Sequence, residues 1–170
     1  MSDPRPPGNE PASTDPDVDL RDVSQRREYG ARHPAVLGVI AVGGVIGALL
    51  RYQIGRWWPT PTDHFPSATL TINLTGCLAI GVLLGVIGEM SSPPPLLRPF
   101  LGTGVLGGFT TFSTYAVDIQ TLLRHGDAGI ALAYLFATAA GAVAAVGLGL
   151  YLGRRLFPRA DGTDAGGPLR

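Results

Sequence analysis

Residues 107–115 read Gly107-Gly108-Phe109-Thr110-Thr111-Phe112-Ser113-Thr114-Tyr115, in the middle of an otherwise apolar stretch. Adjacent glycines and a cluster of hydroxyl side chains are poor helix filler. If the stretch lies at membrane depth, this composition predicts an interrupted helix. Irregular backbone survives in hydrocarbon only where its freed N–H and C=O groups face a cavity, an ion or other protein. The segment is therefore a candidate ion site, provided that the residues around it describe a membrane domain.

They do. The 170 residues include 24 glycines and 15 prolines, and the 13 basic residues are all arginine. Formal net charge is zero, so bulk charge gives no reason to expect nucleic-acid binding. The acids crowd into residues 1–33; between Ala35 and Phe157 the only ones are Asp63, Glu89, Asp118 and Asp127. Four apolar stretches fill this middle. Ala35–Leu50 continues past Arg51 to about Trp58, while Phe65–Gly88, Pro99–Val117 and Ala128–Gly153 carry no charge. A spanning helix needs roughly 20 apolar residues. The second and fourth stretches qualify alone, the first requires Arg51 to snorkel or pair, and the third requires its polar centre to be explained. A soluble bundle would show a charged face at helical spacing, and these stretches do not.

The expected fold is an all-α integral membrane protein with four transmembrane helices, near 35–57, 66–89, 97–123 and 128–154, the third broken near its middle. Residues 1–33, rich in Pro, Asp, Ser and Arg, read as a disordered tail outside the four-span domain of residues 34–157, and 158–170 as a second tail. No signal-peptide pattern is present in the N-terminal stretch. Pairs of glycines four apart (Gly43 and Gly47, Gly81 and Gly85, Gly104 and Gly108, Gly149 and Gly153) predict close helix packing in lipid. Four spans put both tails and the second connector on one side. That side carries Arg21, Arg26, Arg27, Arg32, Arg98, Arg154, Arg155 and Arg159, against Arg56, Arg124 and at most Arg51 on the other. The positive-inside rule then predicts cytoplasmic termini.

Few polar groups interrupt the spans. Thr69 and Asn73 share one face of the second, Thr71 and Thr75 another, and Tyr134 and Thr138 share a face of the fourth with Ala142 one turn on. Asp118 follows the third-span cluster. Isolated threonines can bond back to their own helix, whereas the amide of Asn73 is harder to satisfy locally and can donate to an anion. The single Cys77 excludes an internal disulfide and reads as a small packing residue. Ser113 has no histidine within any span, no carboxylates are paired, and the glycine-rich segment lacks a phosphate-loop lysine. An enzyme is not expected.

Three segments together resemble the CrcB/Fluc fluoride channels: Gly43-Gly-Val-Ile-Gly-Ala-Leu-Leu-Arg51-Tyr52, Thr69-Leu-Thr-Ile-Asn73-Leu-Thr-Gly76, and Gly102-Thr-Gly-Val-Leu-Gly-Gly-Phe-Thr-Thr-Phe-Ser-Thr-Tyr115. The likeness covers about residues 38–155. It implies a dual-topology dimer of antiparallel four-helix subunits in the cell membrane that exports fluoride passively and lowers its toxicity. It implies a structural, untransported Na+ where the broken helices meet, held by the carbonyls of Gly107 and Thr110. It places Phe112 and Tyr115 on the anion path together with Asn73, Thr69, Ser113, Tyr134 and Thr138. Asp118 falls near a pore end, and Arg51 is expected to anchor or pair helices. Tyr115 stands where the family commonly has Phe, and Ala142 where many members have Ser. These departures, with the arginine bias, make an unlike paralogue a candidate partner beside a second copy. A non-conducting structural subunit is the alternative reading.

Overall fold

A computed structural model describes the backbone of residues 23–61 and 64–158, and the side chains of 34–61 and 64–158. Two units are distinguished, Met1–Ala35 and Val36–Arg170. In the first, residues 23–35 are helical, so helix begins ahead of the boundary expected at 34. The remainder of the expected N-terminal tail, residues 1–22, and nearly all of the C-terminal one, 159–170, lie outside the described residues. The helix contacts and the candidate site belong to the second unit.

The described residues are helical, with no strand among them. Helix α1 spans Val23–Trp57, α2 Ser67–Glu89 and α5 Ala128–Leu156. All three contain enough apolar residues to cross a membrane, from Pro34 onward in α1. The third apolar stretch is in two pieces. Helix α3 comprises Arg98–Leu106, wound as a π-helix, and the α-helical turn Gly107–Phe109. Helix α4 begins at Phe112 and runs to Arg124. Neither piece reaches the roughly 20 residues that hydrocarbon requires.

The ends of these elements follow from local chemistry. Helix α2 stops ahead of Ser91-Ser-Pro-Pro-Pro95, because proline lacks the N–H that would continue it. Helix α4 closes with Gly126 at φ 89°, a left-handed conformation that glycine adopts without a Cβ clash. The Gly126 N–H donates to the Leu123 carbonyl and the Asp127 N–H to that of Leu122. This paired closure is a Schellman motif, and it turns the chain directly into α5.

Packing is set by the glycines. Helices α2 and α5 form an extensive pair. Gly81 lies against Gly149, and Gly85 against Gly153; a Cβ at Gly85 would stand 3.0 Å from the Gly153 Cα and 2.8 Å from the Leu150 carbonyl. A second stripe joins α1 to α3. A Cβ on Gly43 would meet the Phe100 carbonyl at 2.6 Å, and one on Gly47 the Phe109 nitrogen at 2.7 Å. Gly104 and Gly108 present the reciprocal surface to Gly43 and Gly44. Lipid chains are as apolar as leucine, so helices gain by van der Waals fit rather than by hiding from water, and small residues supply that fit. Large apolar faces stay outside this packing: only 11% of the apolar window of α1 and 17% of that of α5 are buried within the chain.

Gly149→Ala pushes a methyl into the α2 backbone and is expected to cost about 1–3 kcal/mol. Gly147→Ala, where a Cβ meets nothing within 4 Å, should be neutral or slightly stabilising on the same helix. Unfolding of the two variants in detergent measures the difference; equal stabilities would show that the stripe is not a close-packed seam.

Candidate ion pathway

The interruption occupies two residues. Thr110 (φ −75°, ψ 159°) and Thr111 (φ −147°, ψ 125°) are extended between helical neighbours. Extending them frees carbonyls from the last turn of α3 and N–H groups from the first turn of α4. The buried side chain of Asn73 takes both polar groups of Thr111. Its Nδ2 donates to the Thr111 carbonyl at 3.0 Å, and its Oδ1 accepts from the Thr111 N–H at 2.8 Å. The Thr111 hydroxyl caps α4 by accepting from the Thr114 N–H at 3.1 Å, the usual service of an N-cap threonine. Arg51 reaches across from α1 and donates its Nε–H to the Gly108 carbonyl at 3.2 Å. Arg51, expected to anchor or pair helices, here caps a freed carbonyl of the break.

The carbonyls of Gly107 and Thr110 accept no hydrogen bond among the described residues, and the N–H groups of Phe112 and Ser113 donate none. Gly107 is exposed. The Thr110 hydroxyl bonds back to the Leu106 carbonyl at 3.0 Å, and that of Thr75 to Thr71 at 2.7 Å, so both threonines use the local solution open to a helix in lipid. Glycine at 76 is what lets α2 approach the break: a Cβ there would run into the Thr110 methyl and, at 3.2 Å, the Phe109 ring.

Four aromatic rings lead away from the break. Phe112 and Tyr115 have centroids 5.7 Å apart, Tyr115 and Tyr134 5.3 Å, and Tyr134 meets Phe65 edge-on at 5.5 Å and 83°. Phe112 is 80% exposed, whereas Tyr134 is fully buried. The Tyr115 hydroxyl donates to the Leu135 carbonyl of α5 at 3.1 Å. It is therefore committed to a neighbouring helix. At the far end of this row, the Tyr134 hydroxyl donates to Asp118 at 3.3 Å, and the Thr69 side chain also bonds this carboxylate. A half-buried carboxylate needs such donors.

An open cleft of about 330 Å³ adjoins the break. Asn73, Thr110, Thr111, Phe112, Tyr115 and Thr138 line it, with Cys77, Ala139 and Ala142. Thr138 is nine-tenths buried, and its hydroxyl has no hydrogen-bond partner among the described residues. Eight of the residues singled out in the sequence thus fall into two connected groups. Asn73, Thr110, Phe112, Tyr115 and Thr138 surround the cleft; Thr69, Asp118 and Tyr134 form a hydroxyl–carboxylate cluster joined to it through the Tyr115–Tyr134 ring contact. Ser113 is not among the cleft residues; it is exposed, with its hydroxyl 3.3 Å from that of Thr111. Thr111, Gly76, Phe65 and Cys77 were not picked out as site residues. Thr111 and Gly76 lie inside the quoted motifs, and composition alone does not distinguish a cap or a close-approach glycine from its neighbours. Cys77, expected to be a packing residue, forms part of the cleft wall.

The sequence matches the family model described as "CrcB-like protein, Camphor Resistance (CrcB)" over residues 38–150, which takes in each residue of the break, the ring row and the cleft. The chain is similar to the Fluoride-specific ion channel FluC 2 of Nocardia farcinica, 55% identical over 116 residues that cover 68% of this chain and 83% of the relative. It is 50% identical over 138 residues to the Fluoride-specific ion channel FluC 1 of Streptomyces coelicolor, covering 81% and 90% respectively. It is 39% identical over 122 residues to the Fluoride-specific ion channel FluC of Agrobacterium fabrum, covering 71% and 98%.

Asn73→Ala leaves both backbone groups of Thr111 without partners and is expected to destabilise the fold by about 2–4 kcal/mol. Asn73→Asp keeps the acceptor and loses the donor, and should fall between the two. Thermal unfolding in detergent tests this, and wild-type stability of Asn73→Ala would remove Asn73 as the clamp of the break.

Proposed function

The chain belongs to the CrcB-like family, and from that premise we propose that it is a subunit of a fluoride-specific ion channel in the cell membrane. It is a channel-family protein and not an enzyme. The observation that carries the reading is the interrupted helix at Thr110–Thr111, with its unclaimed backbone groups beside an aromatic-walled cleft, in a chain 55% identical to a protein named as such a channel.

The chain crosses the membrane four times, the third time through α3 and α4 in succession. A second subunit lies antiparallel against it. This is supported by the small buried share of the apolar helices and by the exposure of Gly107, Phe112, Thr71 and Thr75, groups that gain from protein cover in lipid. The freed carbonyls of Gly107 and Thr110 suit a hard cation, which takes oxygen ligands. Na+ held by those carbonyls from both subunits would fix the two breaks against one another without being transported.

Fluoride passes along the cleft. Ring edges of Phe112 and Tyr115 carry partial positive charge; the second Nδ2 hydrogen of Asn73 and the free hydroxyl of Thr138 supply donors. Selectivity comes from fixed donors in a narrow path rather than from a charged vestibule. Thr69, Tyr134 and Asp118 form the end of the route beyond the ring row. Flow is passive and outward: hydrogen fluoride entering from acidic surroundings ionises in the neutral cytoplasm, and the channel releases the anion, which lowers fluoride toxicity. The arginine bias favours cytoplasmic termini, and a fixed orientation favours an unlike, oppositely oriented paralogue as partner.

A fluoride electrode outside liposomes containing only this chain should record sodium-supported fluoride efflux and no chloride efflux if the chain conducts as a homodimer. Efflux that appears only after co-expression with a paralogue would establish the heterodimer, and no efflux in either case would overturn the channel reading. Tyr115→Phe removes the bond to Leu135, not the ring. It should leave flux within about twofold of wild type while costing about 1 kcal/mol of stability; abolished flux would mean that the hydroxyl serves the anion.

A further inference from the structure

Cys77 is the only cysteine of the chain. It lies on α2 one turn beyond Asn73, on the same helix face. A cysteine at such a place is ordinarily a small packing residue. Here it is half-buried and forms part of the cleft wall together with Thr138 and Ala142 of α5. An independent feature of that wall points to a ligand. The Thr138 hydroxyl is nine-tenths buried, has no partner among the described residues, and borders the same space. A buried hydroxyl left unpaired in a protein interior is costly, and this one is available to a group that enters the cleft. One turn further along α5, Ala142 offers no donor to the cleft, whereas the Cys77 thiol does.

We infer that Cys77 is a wall residue of the anion path and that covalent modification of its thiol closes the path. The inference rests on the fluoride-channel reading. It assigns the cleft a thiol of its own, one that thiol-directed electrophiles can reach.

The sulfonatoethyl methanethiosulfonate anion is a suitable probe. The Cys77 thiol loses its proton to water, and its sulfur attacks the sulfenyl sulfur of the reagent. A disulfide bond forms, the bond to the sulfonyl sulfur breaks, and methanesulfinate leaves with the electron pair. The cysteine is oxidised to the disulfide level and the sulfonyl sulfur is reduced to sulfinate. The product tethers a sulfonate inside a cleft of about 330 Å³. A fixed negative charge at close range, in surroundings less polarisable than water, repels a passing anion by more than the thermal energy.

The test uses the full chain in liposomes under whichever subunit composition conducts. Intact-protein mass spectrometry counts adducts, and a fluoride electrode follows efflux before and after treatment. One adduct on this chain is expected, with fluoride efflux reduced at least about tenfold and restored by dithiothreitol. Cys77→Ser, whatever its own rate of efflux, should take no adduct and show the same rate before and after treatment. Complete labelling with unchanged efflux would overturn the inference. So would failure to label the folded chain when the same thiol labels after unfolding in dodecyl sulfate, since that marks a packed core residue. If no fluoride efflux is seen before the reagent is added, with or without a paralogue, the channel reading falls and this inference with it.

Discussion

The amide of Asn73 offers one donor and one acceptor to the backbone of Thr111, and Thr111 is the residue at which the helix cannot supply them itself. In water, two extended residues inside a helix would be solvated. In an apolar setting each unpaired backbone group costs free energy. The break therefore exists because a neighbouring helix carries a side chain with the hydrogen-bonding pattern of a peptide group. Arg51 extends the same compensation to Gly108, and the Thr111 hydroxyl extends it to the first turn of α4. Among the described residues, the carbonyls of Gly107 and Thr110 and the Thr138 hydroxyl stay unpaired around this clamp.

This compensation requires backbones to come very close. Asn73 is a short side chain, so α2 must lie almost against the break, and Gly76 is what allows it. The glycine stripes do the same on a larger scale. One brings α5 onto α2 and so sets Thr138 beside the cleft and Tyr134 against Tyr115; the other brings α1 onto α3 and so brings Arg51 within reach of Gly108. Glycine abundance that would weaken a helix in water is tolerated because lipid cannot compete for the backbone hydrogen bonds. Its return is contact between helix backbones.

Tyr115 shows how one substitution can be read two ways until its neighbours are known. A hydroxyl added to a ring beside an anion path could donate to the anion or block it. Its proton is donated to the Leu135 carbonyl of α5. The ring keeps its contacts with Phe112 and Tyr134, so the row from Phe112 to Phe65 is continuous. The Asp118 carboxylate at the far end is held by the Tyr134 hydroxyl.

Residue order alone determined much of this protein. Hydrophobic length and the scarcity of acids set the apolar helices, the Gly-Gly-Phe-Thr-Thr segment marked the interruption, and the four-residue glycine spacing identified both seams, because each of these depends on residues near one another in the chain. Three motifs in order were enough to point to the family. Tertiary structure decided what each polar atom does. That Asn73 clamps Thr111 across 38 residues of sequence, that Arg51 caps Gly108, that the Tyr115 hydroxyl turns to α5 and that Cys77 faces the cleft are all relations between helices. A hydrogen bond is decided by tenths of an ångström and by direction, and helical periodicity specifies only which face a residue occupies, not which atom of another helix it will meet.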